Sequence, residues 1–180
     1  MFDNSYPYLK KLSGMVRNYC PSVFIVLGGA ATSYSYDEIL YEQKNVDMVC
    51  FGEGEIPFKK LLNWEESKSL VTRNNLEKGK TPELSLVENI DDVIDIDYSF
   101  VNPSNYDMQE AFSPFVDHRK HKQFFISTGR GCPFNCNFCN NSKIHGNKVR
   151  YASIDRIINH VRFLIDNYGM EVLTIYDDQL

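Results

Sequence analysis

The chain has 180 residues, 43% hydrophobic and 24% charged, with a net charge of −5. That length holds one ordinary domain or two small ones, and that composition supports a packed core and excludes wholesale disorder. No apolar run approaches the roughly 20 residues of a bilayer span, the start is not a signal peptide, and no long basic run offers itself to a nucleic-acid backbone. The expectation is a cytoplasmic protein with neither membrane nor nucleic acid as its main partner.

In chain order, residues 8–19 read as a helix, with Leu9, Leu12, Val16 and Tyr19 at helical spacing and Pro21 beyond the end. Val23 to Leu27 is a short apolar run of the kind buried on both faces of a parallel sheet, and Gly28-Gly29 ends it. Residues 37–43 read as a short helix. Val46 to Phe51 reads as a second buried strand, closed by Gly52-Glu53-Gly54-Glu55, and Pro57 suits the first turn of the next helix, to about Trp64. This is α-β-α-β-α, the order of a parallel sheet with covering helices. Residues 65–122 break the pattern and read as an irregular bridge, with a hairpin expected around Glu77-Lys78-Gly79-Lys80 in residues 69–87.

Order returns with a strand over Phe124 to Ser127. Ser153 is a good N-cap, and Ile154, Ile157, Ile158, Val161, Leu164 and Tyr168 make an apolar stripe that Gly169 terminates. Val172 to Tyr176 is the next strand. The two strands should be parallel, which brings the loop after the first and Asp177 after the second to one sheet edge.

Five cysteines in a reducing compartment stay free unless they bind metal or do redox chemistry, and three of them, Cys132, Cys136 and Cys139, lie within eight residues. Three thiolates on one loop can hold an iron–sulfur cluster. A 4Fe–4S cluster then keeps one iron without a protein ligand, open to a molecule with an amine and a carboxylate, such as S-adenosylmethionine. A zinc site is the competing reading, with His145, His118 or His121 as fourth ligand, but zinc sites favour paired C-x₂-C elements and one such pair is present. A plain electron-transfer cluster wants a fourth cysteine. Cys20 and Cys50 are the remaining ones, and both read as buried small hydrophobes.

Cys132-Pro-Phe-Asn-Cys136-Asn-Phe-Cys139 resembles the three-cysteine signature of the radical S-adenosylmethionine (radical SAM) family, and Thr128-Gly-Arg-Gly131 resembles the strand end of its cobalamin-associated branch. The resemblance implies a 4Fe–4S cluster on the three cysteines. It also implies reductive cleavage of S-adenosylmethionine to a 5′-deoxyadenosyl radical, an external electron donor, and a substrate that is either a small molecule or unknown. It places Phe138 near the adenine. Asp177, Asp178 and Gln179 stand where the family has a glycine-glycine-glutamate motif that holds the amino group; this sequence departs from that motif.

Residues 6–64 resemble the later strands of the cobalamin-binding domain of that branch, with Gly28 and Gly29 near the cofactor's nucleotide tail. Its cobalt-ligating histidine motif is not in this sequence, so cobalamin is expected only in a longer parent. The implied fold is α/β: a partial Rossmann-like sheet over residues 1–64, a linker over 65–122, and the opening βαβ of a radical SAM β/α barrel over 123–180. That is a fragment, and a zinc-stabilised binding module or an inactive fragment is the alternative. Gly52-Glu53-Gly54-Glu55 is no dinucleotide fingerprint, since two carboxylates would repel a phosphate. Residues 118–122 (HRKHK) read as a solvated basic face, and Arg130 as a surface pair or carboxylate clamp.

Overall fold

A computed structural model describes residues 6–93, 95–101 and 121–177. The chain forms two compact units, residues 1–87 with 131–148 and residues 88–130 with 149–180. Both are α/β with a short parallel pairing.

In the first unit, α1 (Tyr6–Tyr19) leads to β1 (Val26–Leu27), α2 (Ala30–Tyr34), α3 (Tyr36–Glu42), β2 (Met48–Cys50), α4 (Glu55–Leu62), β3 (Leu70–Val71) and α5 (Arg73–Glu77). Strand β1 is parallel to β2 in the register Val26↔Met48, and β3 is antiparallel to β2. Ile39, Leu40, Val46, Val49 and Val71 form the core. The first strand is shorter than the apolar run predicts, because side chains take the backbone groups a ladder would use. Arg17 donates to the Val23 carbonyl at 2.7 Å, and the Ile25 N–H donates to Asp47 at 2.8 Å. Val23 and Phe24 are left exposed.

The expected hairpin around residues 77–80 is not formed. Thr72 caps α5 instead: it accepts from the Asn75 N–H while the Asn75 side chain accepts from the Thr72 N–H, a reciprocal box that satisfies two orphan donors of the first turn. Arg73 then donates to the carbonyls of Leu40, Gln43 and Val46, tying α5 to the end of α3.

In the second unit, β4 (Gln123–Ile126) pairs in parallel with β7 (Val172–Ile175), from Gln123↔Val172 to Ile126↔Ile175, with α7 (Ile154–Tyr168) as the connecting helix. A small ladder, β5 (Gly129–Arg130) with β6 (Arg150–Tyr151), is antiparallel. The fully buried Leu164 packs with Phe124, Ile126 and Met170, flanked by Ile157, Val161 and Tyr168. The apolar stripe is thus narrower than the sequence reading has it: Ile154 and Ile158 are exposed.

Helix α7 has the expected ends. The Ser153 hydroxyl accepts from the Arg156 N–H, and Gly169 closes the helix in the left-handed region at φ 64°. Ser153→Ala is expected to cost about 1 kcal/mol, read as a lower denaturation midpoint. The acidic residues Asp91 and Asp95 are not loose. Asp91 accepts from the Ser153 N–H at 2.8 Å, where a negative charge suits a helix N-terminus. Arg156 donates to the Asp91 and Val93 carbonyls and pairs with Asp95 at 2.6 Å. The hydrogen bonds that Asp91 accepts from Ser153, aided by the nearby Arg156 charge, pull its carboxyl below its ordinary value. Among the described residues no helix is long and apolar enough to cross a membrane.

Candidate metal centre

The cysteine loop groups with the first unit and is closed on itself. Gly131 stands at φ 93°, and a Cβ there would collide with the Lys148 carbonyl, so only glycine lets the two ends of the loop approach this closely. The Cys132 N–H donates to the Gly146 carbonyl at 3.2 Å. Within the loop the Cys139 N–H donates to the Cys136 carbonyl at 3.1 Å, a tight turn that keeps two of the cysteines together. The Asn141 N–H, at the start of α6 (Asn141–His145), lies 3.5 Å from the Cys139 sulfur.

Cys132 is half-buried, while Cys136 and Cys139 are exposed. Phe138 between them is 91% exposed, so its ring is not part of a core. Among the described residues no three His, Cys, Asp or Glu side chains are gathered as a ready metal cage.

His145 has a carboxylate partner. Its Nδ1 lies 2.9 Å from Oε1 of Glu53, whose side chain is 1% exposed. The sequence offers no sign of this contact, which spans 92 positions.

Gly28 and Gly29 line a cleft of about 370 Å³ with Cys50, Gly52, Glu55 and Phe58, at the C-terminal ends of the parallel strands β1 and β2. Gly29 is required by its backbone, at φ 101°, and a Cβ there would meet open space. Cys50 is buried as expected, and burial, with the charge of Glu55, pushes its thiol up. Cys20 is exposed, contrary to expectation, because the chain has left α1 before it can turn inward.

In the second unit, Asp177 is a fastener. Its Oδ1 accepts from the Thr128 N–H at 2.7 Å, the Gly129 N–H at 3.2 Å and the Ser127 hydroxyl at 3.0 Å, and its Oδ2 accepts from the Thr128 hydroxyl. Burial alone would raise its pKa, but these four hydrogen bonds together hold it below the ordinary carboxylate value. Asp178, Gln179 and His118 lie outside the described residues. His121 stands 3.7 Å from Glu171.

No protein-family model matches the chain. It is similar to an uncharacterized methyltransferase of Pyrococcus horikoshii, 29% identical over 91% of this chain and 35% of the relative. The cytidylyl-2-hydroxyethylphosphonate methyltransferase of Streptomyces wedmorensis is 26% identical over 99% of this chain and 38% of its own length. The hopanoid C-3 methylase of Methylococcus capsulatus is 24% identical over 92% and 34%. These relatives agree with the resemblance of the chain to the radical SAM proteins of the cobalamin-associated branch. The chain spans about a third of the length of these curated relatives.

For the cluster that this resemblance implies, the donor set fits. One short loop supplies three thiols, soft ligands for iron and sulfide, and a backbone N–H is already directed at one sulfur, the kind of outer contact that stabilises a ligating thiolate.

Proposed function

We propose that the chain carries the cluster-binding part of a radical SAM enzyme, with Cys132, Cys136 and Cys139 as the ligands of a 4Fe–4S cluster. The observation that carries this reading is the three-then-two spacing of those cysteines within a chain related along its length to named methyltransferases. When bound, the cluster supplies an electron for reductive cleavage of the carbon–sulfur bond of S-adenosylmethionine, and an external donor resupplies it.

The chain's own residues bind and orient. The thiolates of Cys132, Cys136 and Cys139 would hold the cluster and leave one iron open to the amine and carboxylate of S-adenosylmethionine. The exposed Phe138 ring offers an apolar face to the adenine. With four donors already on Asp177, the cationic amine falls to Asp178 and Gln179 rather than to that carboxylate. Gly28 and Gly29 line a cleft at the sheet edge where α/β folds bind ligands, and this favours a cobalamin tail there in a full-length protein. The first unit is read as Rossmann-like and β4-α7-β7 as the start of a β/α barrel. Methyl transfer is the reaction class that the names of these relatives favour.

The test is anaerobic reconstitution followed by metal and sulfide analysis. About four irons and four sulfides per chain are expected. Stoichiometric zinc without sulfide would replace this reading with a zinc-stabilised module.

A further inference from the structure

Glu53 is a carboxylate taken almost wholly out of water in the turn that follows β2. A buried charge is tolerated only when it is paired and hydrogen-bonded. Glu53 has both: Oε1 meets His145 Nδ1 at 2.9 Å, and Oε2 accepts from the Val87 N–H at 3.3 Å. His145 is the last residue of α6, and Gly146 beside it accepts the Cys132 N–H. A path of two hydrogen-bonded contacts therefore runs from Glu53 to the first cysteine. Gly52 makes the approach feasible. It sits at φ 76°, and a Cβ there would collide with Leu84 and stand 3.2 Å from the Ile144 carbonyl of α6. On the other side of α6, the Lys143 ammonium lies 5.1 Å over the Tyr34 ring, so the helix is gripped from α2 as well.

Resting on the cluster reading above, we propose that Glu53 is a positioning residue for the cluster loop, acting through His145 to fix the point from which Cys132 reaches its iron. The Gly52-Glu53-Gly54-Glu55 turn thus has a task other than phosphate binding: its first carboxylate points inward as an anchor. Outer partners of metal ligands commonly alter metal retention by about 10–100-fold when removed.

The test compares reconstituted wild type, Glu53→Gln, His145→Ala and the double variant for the rate of iron loss to a chelator and for the electron paramagnetic resonance of the reduced cluster with S-adenosylmethionine. Val71→Ala, in the core of the same unit, is the control for lost stability alone. His145→Ala is expected to lose iron about tenfold faster and to change the line shape. Glu53→Gln, which keeps a hydrogen-bonding partner, should stay within about threefold of wild type, and the double variant should match His145→Ala rather than exceed it. Equal iron loss from His145→Ala and Val71→Ala, or wild-type behaviour of His145→Ala, overturns the proposal while leaving the cluster reading intact. A wild-type chain that takes up no cluster removes both. If His145→Ala fails to fold, His145→Gln decides by the same two readouts.

Discussion

Alanine at Cys132, Cys136 or Cys139, one at a time, is expected to abolish the reconstituted 4Fe–4S chromophore, whereas alanine at Cys20 or Cys50 leaves it intact. In the proposed cluster each loop thiolate would ligate a separate iron and one iron would lack a protein ligand, so a second vacancy would leave the cluster held by two bonds only. No other cysteine is suited to substitute. Cys50 is buried, and burial with the nearby Glu55 charge disfavours the thiolate, which is the ligating form. Cys20 lies just past α1 on a different segment of the chain. Iron and sulfide analysis with the visible spectrum of each variant checks this. Full cluster content in any of the three loop variants would remove that cysteine from the ligand set.

Asp177→Ala is expected to destabilise the second unit by about 2–3 kcal/mol, the scale of hydrogen bonds to a charged group and of buried donors left unsatisfied. The substitution strands the Thr128 and Gly129 N–H groups at the end of β4, at the foot of the segment that leads into the cysteine loop. Asp177→Asn keeps an acceptor oxygen and should cost about 1 kcal/mol. The pH dependence has a definite sign. The folded-state pKa of Asp177 lies below its unfolded value, so protonation favours the unfolded chain. Its contribution is complete above the ordinary carboxylate value and is lost as pH falls through the depressed folded value. Urea denaturation at neutral and acid pH reads both effects: the wild type should lose more stability on acidification than Asp177→Asn does. Equal acid sensitivity would mean that the carboxylate charge is not what fastens the strand ends.

Where local signals were strong, the sequence was a good guide to structure. Helix α7 follows its stripe and both caps, because Ser153 and Gly169 act on the backbone within one turn of themselves. The parallel pairings of β1 with β2 and of β4 with β7 follow from buried runs separated by helices. The cysteine spacing suggests a ligand set on one loop, while the closure of that loop by Gly131 against Lys148 has no local signal.

What escaped the sequence depends on partners distant in the chain. Arg17 and Asp47 shorten β1 by claiming its backbone, and nothing in residues 23–27 announces that. The Thr72–Asn75 box was a readable helix start that the nearby Lys78-Gly79 turn signal obscured. Asp177 was visible as a polar strand end, but its four donors come from a segment about fifty positions earlier. The Glu53–His145 pair had no local trace, since a glutamate between two glycines reads as solvent-facing until the helix that covers it is in place.

The most direct measurement is the electron paramagnetic resonance spectrum of the anaerobically reconstituted, chemically reduced chain, recorded before and after addition of S-adenosylmethionine. A reduced-cluster signal that changes its g-values on addition places the sulfonium compound on the cluster, as expected for a cubane held by Cys132, Cys136 and Cys139 with one open iron. A cluster signal indifferent to S-adenosylmethionine, or no cluster signal from a chain that has instead taken up zinc, would contradict that account.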